Sequence, residues 1–194
     1  MAWGLSVALA LGSASTLAQT RDDYCGRSPP PGADAVPAAM RTGHYVNSIY
    51  GYSLTIPAGL TAYGDGRAPE RGFVILLAQS PRATLRVDAA YDVFYDITAE
   101  GVHRRDINTI RLHDTLISDQ SAAGALGQAA GGRYVLQLQC HGDSAAAVHE
   151  EVIVLRNREI YRVDLQSSPE RYAADLGRLN ALLSSWRWEV PPPH

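Results

Sequence analysis

Arg133–Trp188, RYVLQLQCHGDSAAAVHEEVIVLRNREIYRVDLQSSPERYAADLGRLNALLSSWRW, decides the fold. From Tyr134 the apolar residues Tyr134, Leu136, Leu138 and Cys140 alternate with Gln137, Gln139 and His141, the period-two pattern of a half-buried strand. Val148 to Leu155 follows as a second strand. The polar turn Arg156-Asn157-Arg158-Glu159 then leads to a third, in which Tyr161, Val163 and Leu165 alternate with Arg162, Asp164 and Gln166. Ser168-Pro169-Glu170 supplies an N-cap, a proline at the first helical position and an early carboxylate suited to the positive end of a helix dipole. Leu176, Leu179, Leu182 and Leu183, with Tyr172 and Trp186 at the ends, form one apolar stripe at helical spacing. A greasy helix face and a greasy sheet face are buried together by laying the helix across the sheet. The other sheet face, with Arg86, Asp88, Gln137, Gln139, Arg162 and Asp164, is then expected to be solvated.

Upstream, His44 to Ile49 reads as a short strand, and Tyr52, Leu54 and Ile56 alternate up to Pro57, which ends the run. Ala58 to Gly72, with four glycines and a proline, is a loop. Phe73 to Ala78 is apolar on both parities, as in a strand covered on both faces, and Leu85, Val87 and Ala89 alternate with Arg86 and Asp88 in another. Thr98 caps a helix running to about Leu112, with Val102, Ile107 and Ile110 on one side. Thr115 to Ser118 reads as a strand, and Ser121 to Gly132 as an Ala/Gly-rich connection back into the C-terminal unit. The fold class is therefore α/β (α+β): a twisted, mainly antiparallel sheet packed with a C-terminal amphipathic helix and a central helix.

Composition narrows the function classes. The chain has 194 residues, 46% of them hydrophobic, and a net charge of −3, with every basic side chain an arginine. That is enough to bury one core, and without a basic run a sequence-independent grip on phosphates is not expected, so nucleic acid is not the expected partner. Residues 1–18 read as a signal peptide, with Thr16-Leu17-Ala18 as a small-residue cleavage site. The competing reading is an N-terminal anchor, but the apolar run is short for a span and is cut by Gly12, Ser13 and Ser15. The mature chain is thus expected in the periplasm or secreted, as a monomer without a stable membrane span. Residues 19–43 form an extended arm, 44–188 a single domain and 189–194 a tail. Cys25 and Cys140 are expected to pair in an oxidising compartment; the alternative is a buried Cys140 thiol packing as a small hydrophobe.

Three features together resemble the Mog/PsbP-like α/β/α sandwich superfamily, including its small exported bacterial members. They are Gly51-Tyr52-Ser53-Leu54-Thr55-Ile56-Pro57, the small-residue pairs Leu126-Gly127 and Gly131-Gly132, and the close Leu182-Leu183-Ser184-Ser185-Trp186. The resemblance covers about residues 44 to 188. It implies a non-enzymatic binding or assembly role and a second layer over part of the other sheet face.

The residues that carry chemistry are few. Cys140-His141-Gly142-Asp143 and His149-Glu150-Glu151 flank a short turn, so His141 and His149, with Glu151 or Asp143, are the candidate metal ligands. A Cys140–His141 nucleophile pair is excluded because neighbours on a strand point to opposite faces. No Gly-x-Ser-x-Gly elbow and no lysine-bearing phosphate loop is present, and no cofactor is expected. Asp92, Asp96 and Glu100 read as capping and solubilising carboxylates. Tyr45, Tyr50, Tyr52 and Tyr63 crowd one region, either lining a groove or filling the core. The loop Ala58 to Gly72 with Tyr50, Tyr63 and Arg67 is the candidate binding surface for another envelope protein, in an assembly, accessory, inhibitor or immunity-type role. A metal-binding protein or metal-dependent hydrolase built on His141 and His149 is the alternative.

Overall fold

Alternating apolar residues become ten strands in the computed structural model, which describes Cys25 and residues 36–64, 70–79, 82–96, 98–141 and 146–189. The expected signal segment, most of the expected arm, Arg67, Asp143 and residues from Val190 on lie outside the described residues. In chain order the elements are β1 (Gly43–Asn47), β2 (Tyr52–Ile56), β3 (Ala62–Gly64), β4 (Phe73–Gln79), β5 (Arg82–Tyr91), α1 (Ala99–Ile110) and β6 (Thr115–Leu126). Then come β7 (Ala129–Gln139), β8 (Ala146–Arg156), β9 (Glu159–Ser167), α2 (Tyr172–Ser184) and β10 (Arg187–Trp188). A seven-stranded antiparallel sheet runs β3-β4-β5-β9-β8-β7-β6, and a smaller one runs β1-β2-β10.

The main core lies between the large sheet on one side and the small sheet with α2 on the other. Leu85, Val87, Val152, Val154, Val163 and Leu165 meet Leu54, Ile56, Leu179, Leu182 and Trp186 there, all within 2% exposure. Tyr52 stacks on Trp186 at 4.5 Å and 11°, with Tyr161 edge-on to both. Tyr45 packs against Phe73, so these two tyrosines fill core space. Val36, at the end of the arm, is 1% exposed in the same core. The opposite face carries α1: Val102 packs with Tyr134 and Ile153, and Ile107 and Ile110 pack with Leu136 and Leu138. Consecutive residues of β8 thus serve both layers, which is why Ala147 to Val154 is buried without a break. Among the described residues no helix is long and apolar enough to cross a membrane.

Local signals explain the boundaries. The Thr98 hydroxyl accepts the Gly101 N–H and caps α1 as expected. Asn157 and Arg158 both take positive φ, 53° and 65°, the geometry of a two-residue hairpin turn whose twist matches its strands. Cys25 and Cys140 are bonded as a disulfide.

Four expectations are corrected. The stretch Ala58 to Gly72 is not loop throughout, since Ala62–Gly64 pairs with β4 as the edge strand β3. Ser121 to Gly132 is no connection: it is the outer end of the β6–β7 hairpin, turning at Gly127 with φ 57°. Ala and Gly disfavour strands intrinsically, but pairing from Thr115↔Gln139 to Leu126↔Ala129 overrides that preference. Helix α2 begins at Tyr172 rather than after Ser168, because the Ser168 carbonyl accepts the Arg171 and Tyr172 N–H groups around a turn. Finally, the polar sheet face is not simply solvated: α1 covers its β7–β8 part, and Asp164 is only 13% exposed.

Candidate functional site

Beneath α1 the sheet register builds a buried ionic cluster. Glu151 on β8 and Asp164 on β9 are direct cross-strand partners, and His149 lies two residues before Glu151 on the same face. One nitrogen or oxygen from each lies within 4.8 Å of the others, a grouping that could hold a metal ion. His149 Nε2 stands 3.8 Å from Glu151 Oε2 and 3.9 Å from Asp164 Oδ1. Arg162, two residues before Asp164, puts its Nε 3.8 Å from Glu151 Oε2, while its other end pairs with Asp106 of α1 at 2.7 Å.

His103 of α1 closes the cluster from above. Its Nδ1 is 2.8 Å from Glu151 Oε1 and its Nε2 is 3.1 Å from Asp119 Oδ1 on β6. With a carboxylate at each nitrogen, both nitrogens donate only when the ring is an imidazolium. The ring lies flat on Tyr134 at 3.7 Å and 8°, a face that favours a cation.

These placements move the titrations. Burial alone would lower His103 and His149, but Glu151, with Asp119 at the first ring and Asp164 at the second, outweighs it and raises both. Burial would raise Glu151; His103, His149 and Arg162 reverse that and hold its carboxyl well below the usual carboxylate range. Asp164 is pushed up to about 6, mainly by burial, against the pull of His149 and Arg162.

The sequence-derived metal set is thereby rearranged. His149 and Glu151 come together, but His141 does not join them: His149 pairs with Leu136, five residues before His141, which is exposed at the strand end. At about 3.3 Å per residue that separation is about 16 Å. Asp164 takes the third place. Alternation marked Asp164 as outward-facing but could not show that the second layer implied by the resemblance covers that row. The two charges within the otherwise Val-rich run of β8 were the clue available.

A second feature is exposed and apolar. Ile49, Tyr91, Val93, Phe94 and Tyr95 are 64–71% exposed, five of the seven large hydrophobic residues that face solvent among the described residues. They share one end of the sheet: Tyr50 meets Tyr91 at 6.2 Å, and the Asp92 N–H donates to the Arg158 carbonyl in the β8–β9 turn. Arg105 lies 4.3 Å over Phe94 and Arg158 4.9 Å over Tyr95. Asp92 accepts the Phe94 N–H, and Tyr95 takes φ 60°, so the segment is folded to present its rings. Of the expected binding residues, half-buried Tyr50 belongs to this rim. Tyr63 sits half-buried on the edge strand β3, in a cross-strand row with Val74 and Arg86, five residues short of Tyr91 along β5. Three consecutive apolar residues between Asp92 and Asp96 were the sequence signal for the rim.

No protein-family model matches the chain, and no curated protein sequence matches it. Among solved structures it is similar to the cyanobacterial PsbP, CyanoP, of Synechocystis sp. PCC 6803, with TM-score 0.50 and 18% identity over 83% of this chain and 99% of that one. It is also similar to LpqN of Mycobacterium tuberculosis, involved in cell envelope biogenesis, with TM-score 0.50 and 11% identity over 84% of this chain and 100% of that one. At such identities the likeness shows the fold, a PsbP-like α+β sandwich. Neither likeness bears on the Mog half of the resemblance.

Proposed function

We propose that this protein is an exported, non-enzymatic accessory module that binds another protein of the cell envelope through the aromatic rim at Ile49, Tyr50, Tyr91 and Val93 to Tyr95. The observation that carries the reading is the concentration of exposed large hydrophobics at one end of the sheet. Scattered apolar residues are ordinary on a surface, whereas a cluster of aromatics bracketed by arginines has the composition of an interface centre. Arg158, and the donors of Arg105 beyond its ion pair with Asp96, are placed to pair with a partner's carboxylates or carbonyls. The disulfide fits an oxidising compartment, and the envelope role of LpqN agrees with the placement.

The test is capture from envelope extract with tagged mature chain, comparing wild type with a Val93→Ser, Phe94→Ser, Tyr95→Ser variant. One protein recovered stoichiometrically by wild type and lost from the variant, at an unchanged melting temperature, is the expected result. Equal recovery by both, or no stoichiometric protein with either, refutes the rim. Tyr63→Ala and Arg67→Glu in the same assay test the loop Ala58 to Gly72; unchanged recovery removes it.

A further inference from the structure

Like charges placed directly opposite on paired strands repel, and dry surroundings sharpen the repulsion. Glu151 and Asp164 are such a pair. Glu151 is 0% exposed, and its Oε2, like Asp164 Oδ1, is shielded from solvent and accepts no hydrogen bond among the described residues. Both oxygens face the His149 imidazole at 3.8 and 3.9 Å. A hydrogen-bonded proton would draw donor and acceptor to about 2.7–2.9 Å. Three ligands around one tetrahedral first-row cation, each about 2.0–2.2 Å from it, stand roughly 3.3–3.6 Å apart. The two separations from His149, 3.8 and 3.9 Å, are too wide for the first arrangement and within a few tenths of an ångström of the second, and the two carboxylate oxygens lie within 4.8 Å of each other.

We propose that His149, Glu151 and Asp164 form a divalent transition-metal site of the zinc class beneath α1. It is independent of the protein-binding rim, at which none of the three residues lies. His149 supplies a ring nitrogen and the two carboxylates one oxygen each, a mixed N/O set suited to zinc or manganese. Neighbouring groups fit this role. His103 holds Glu151 through the other oxygen, Oε1, fixing the carboxylate's orientation, as residues behind metal ligands do. Arg162 is engaged by Asp106 at 2.7 Å, so its guanidinium has a carboxylate to stay with when a cation takes the charge of Glu151. The site joins β8 to β9 under the helix, so the ion acts as a structural clamp on the centre of the sheet rather than as an open catalytic metal.

The disulfide-intact full chain is stripped with a chelator, unfolded and refolded with and without zinc chloride, and assayed for bound metal by mass spectrometry and for its melting midpoint. One zinc per chain is expected, with the midpoint raised by roughly 5–10 °C at a hundredfold excess over Kd. Cobalt(II) in place of zinc should give the visible absorption of a low-coordinate N/O site. His149→Gln and Asp164→Asn, close in shape to the originals, should lose the metal and the shift, whereas His141→Ala and His44→Ala keep both. Wild-type protein that binds no stoichiometric zinc, shows no cobalt spectrum and melts unchanged overturns the site, and needs no variant to fold. Stoichiometric zinc retained by both His149→Gln and Asp164→Asn overturns the ligand assignment.

Discussion

The bond between Cys25 and Cys140 gives the sharpest stability prediction. It closes a loop with a sequence separation of 115. In the chain-entropy model a cross-link of that span removes about 16 cal/mol/K from the unfolded ensemble, about 4.8 kcal/mol at 25 °C. The dependence on span is logarithmic, so moving the loop ends by several residues changes little. Cys140 is 6% exposed, and a serine there would bury a hydroxyl, so the informative variant is Cys25→Ser with Cys140→Ala. For a chain of this size about 2–4 °C accompanies each kcal/mol, and the variant should melt roughly 10–19 °C below oxidised wild type. Urea unfolding followed by far-ultraviolet circular dichroism gives the free energy independently. Reductant should bring wild type down to the variant and leave the variant where it was. A variant within about 1 kcal/mol of oxidised wild type would falsify the claim that the bridge constrains the unfolded chain over that loop.

Trp186, 0% exposed and stacked on Tyr52, joins the small sheet to α2; Trp186→Ala should cost about 3–5 kcal/mol in urea unfolding, and a loss under 1.5 kcal/mol would mean the core closes over the gap. Thr98→Ala should cost about 1 kcal/mol by removing the hydroxyl that accepts the Gly101 N–H, with Thr98→Ser recovering most of it in the same assay. Gly131→Ala should destabilise more than either Ala122→Gly or Ala130→Gly. A Cβ at residue 131 would run into the Ile153 carbonyl oxygen, and a variant as stable as wild type would show that β7 and β8 separate there at no cost.

The strand periodicities of the C-terminal third were legible because alternation is a local property. Tyr134 to Gln139, Val148 to Leu155 and Tyr161 to Gln166 all lie in strands, and the turn at Asn157 and Arg158 falls where its polarity indicates. The cap at Thr98 was equally local. Less legible were features decided by distant partners. Ser121 to Gly132 carries no β-branched residue, yet becomes strand because β8 holds β7 from Gly132 onward and the β6–β7 ladder runs on from there to its turn. The start of α2 was displaced because a turn over residues 169–171, closed on the Ser168 carbonyl, comes before Tyr172. The pairing of the two cysteines was legible from compartment logic, and geometry decided between bridge and buried thiol.

The buried ionic cluster shows why alternation alone misjudged a whole face. Period-two reading assigns residues to sides but cannot say which side is covered, and a polar row invites the inference that water covers it. Here the covering element is itself mixed: the buried side of α1 carries His103 among Val102, Ile107 and Ile110. Its apolar residues meet Tyr134, Leu136, Leu138 and Ile153, while His103 and Asp106 meet Glu151 and Arg162. The boundary between greasy and charged halves of the sheet therefore runs under one helix and is matched on it residue by residue. A thin apolar stripe with a histidine inside it, read together with His149 and Glu151 in a Val-rich strand, is the sequence signature of that arrangement. Helix and strand are each unremarkable alone, and the charge they bury together is what makes this face a candidate for a bound cation rather than a solvated surface.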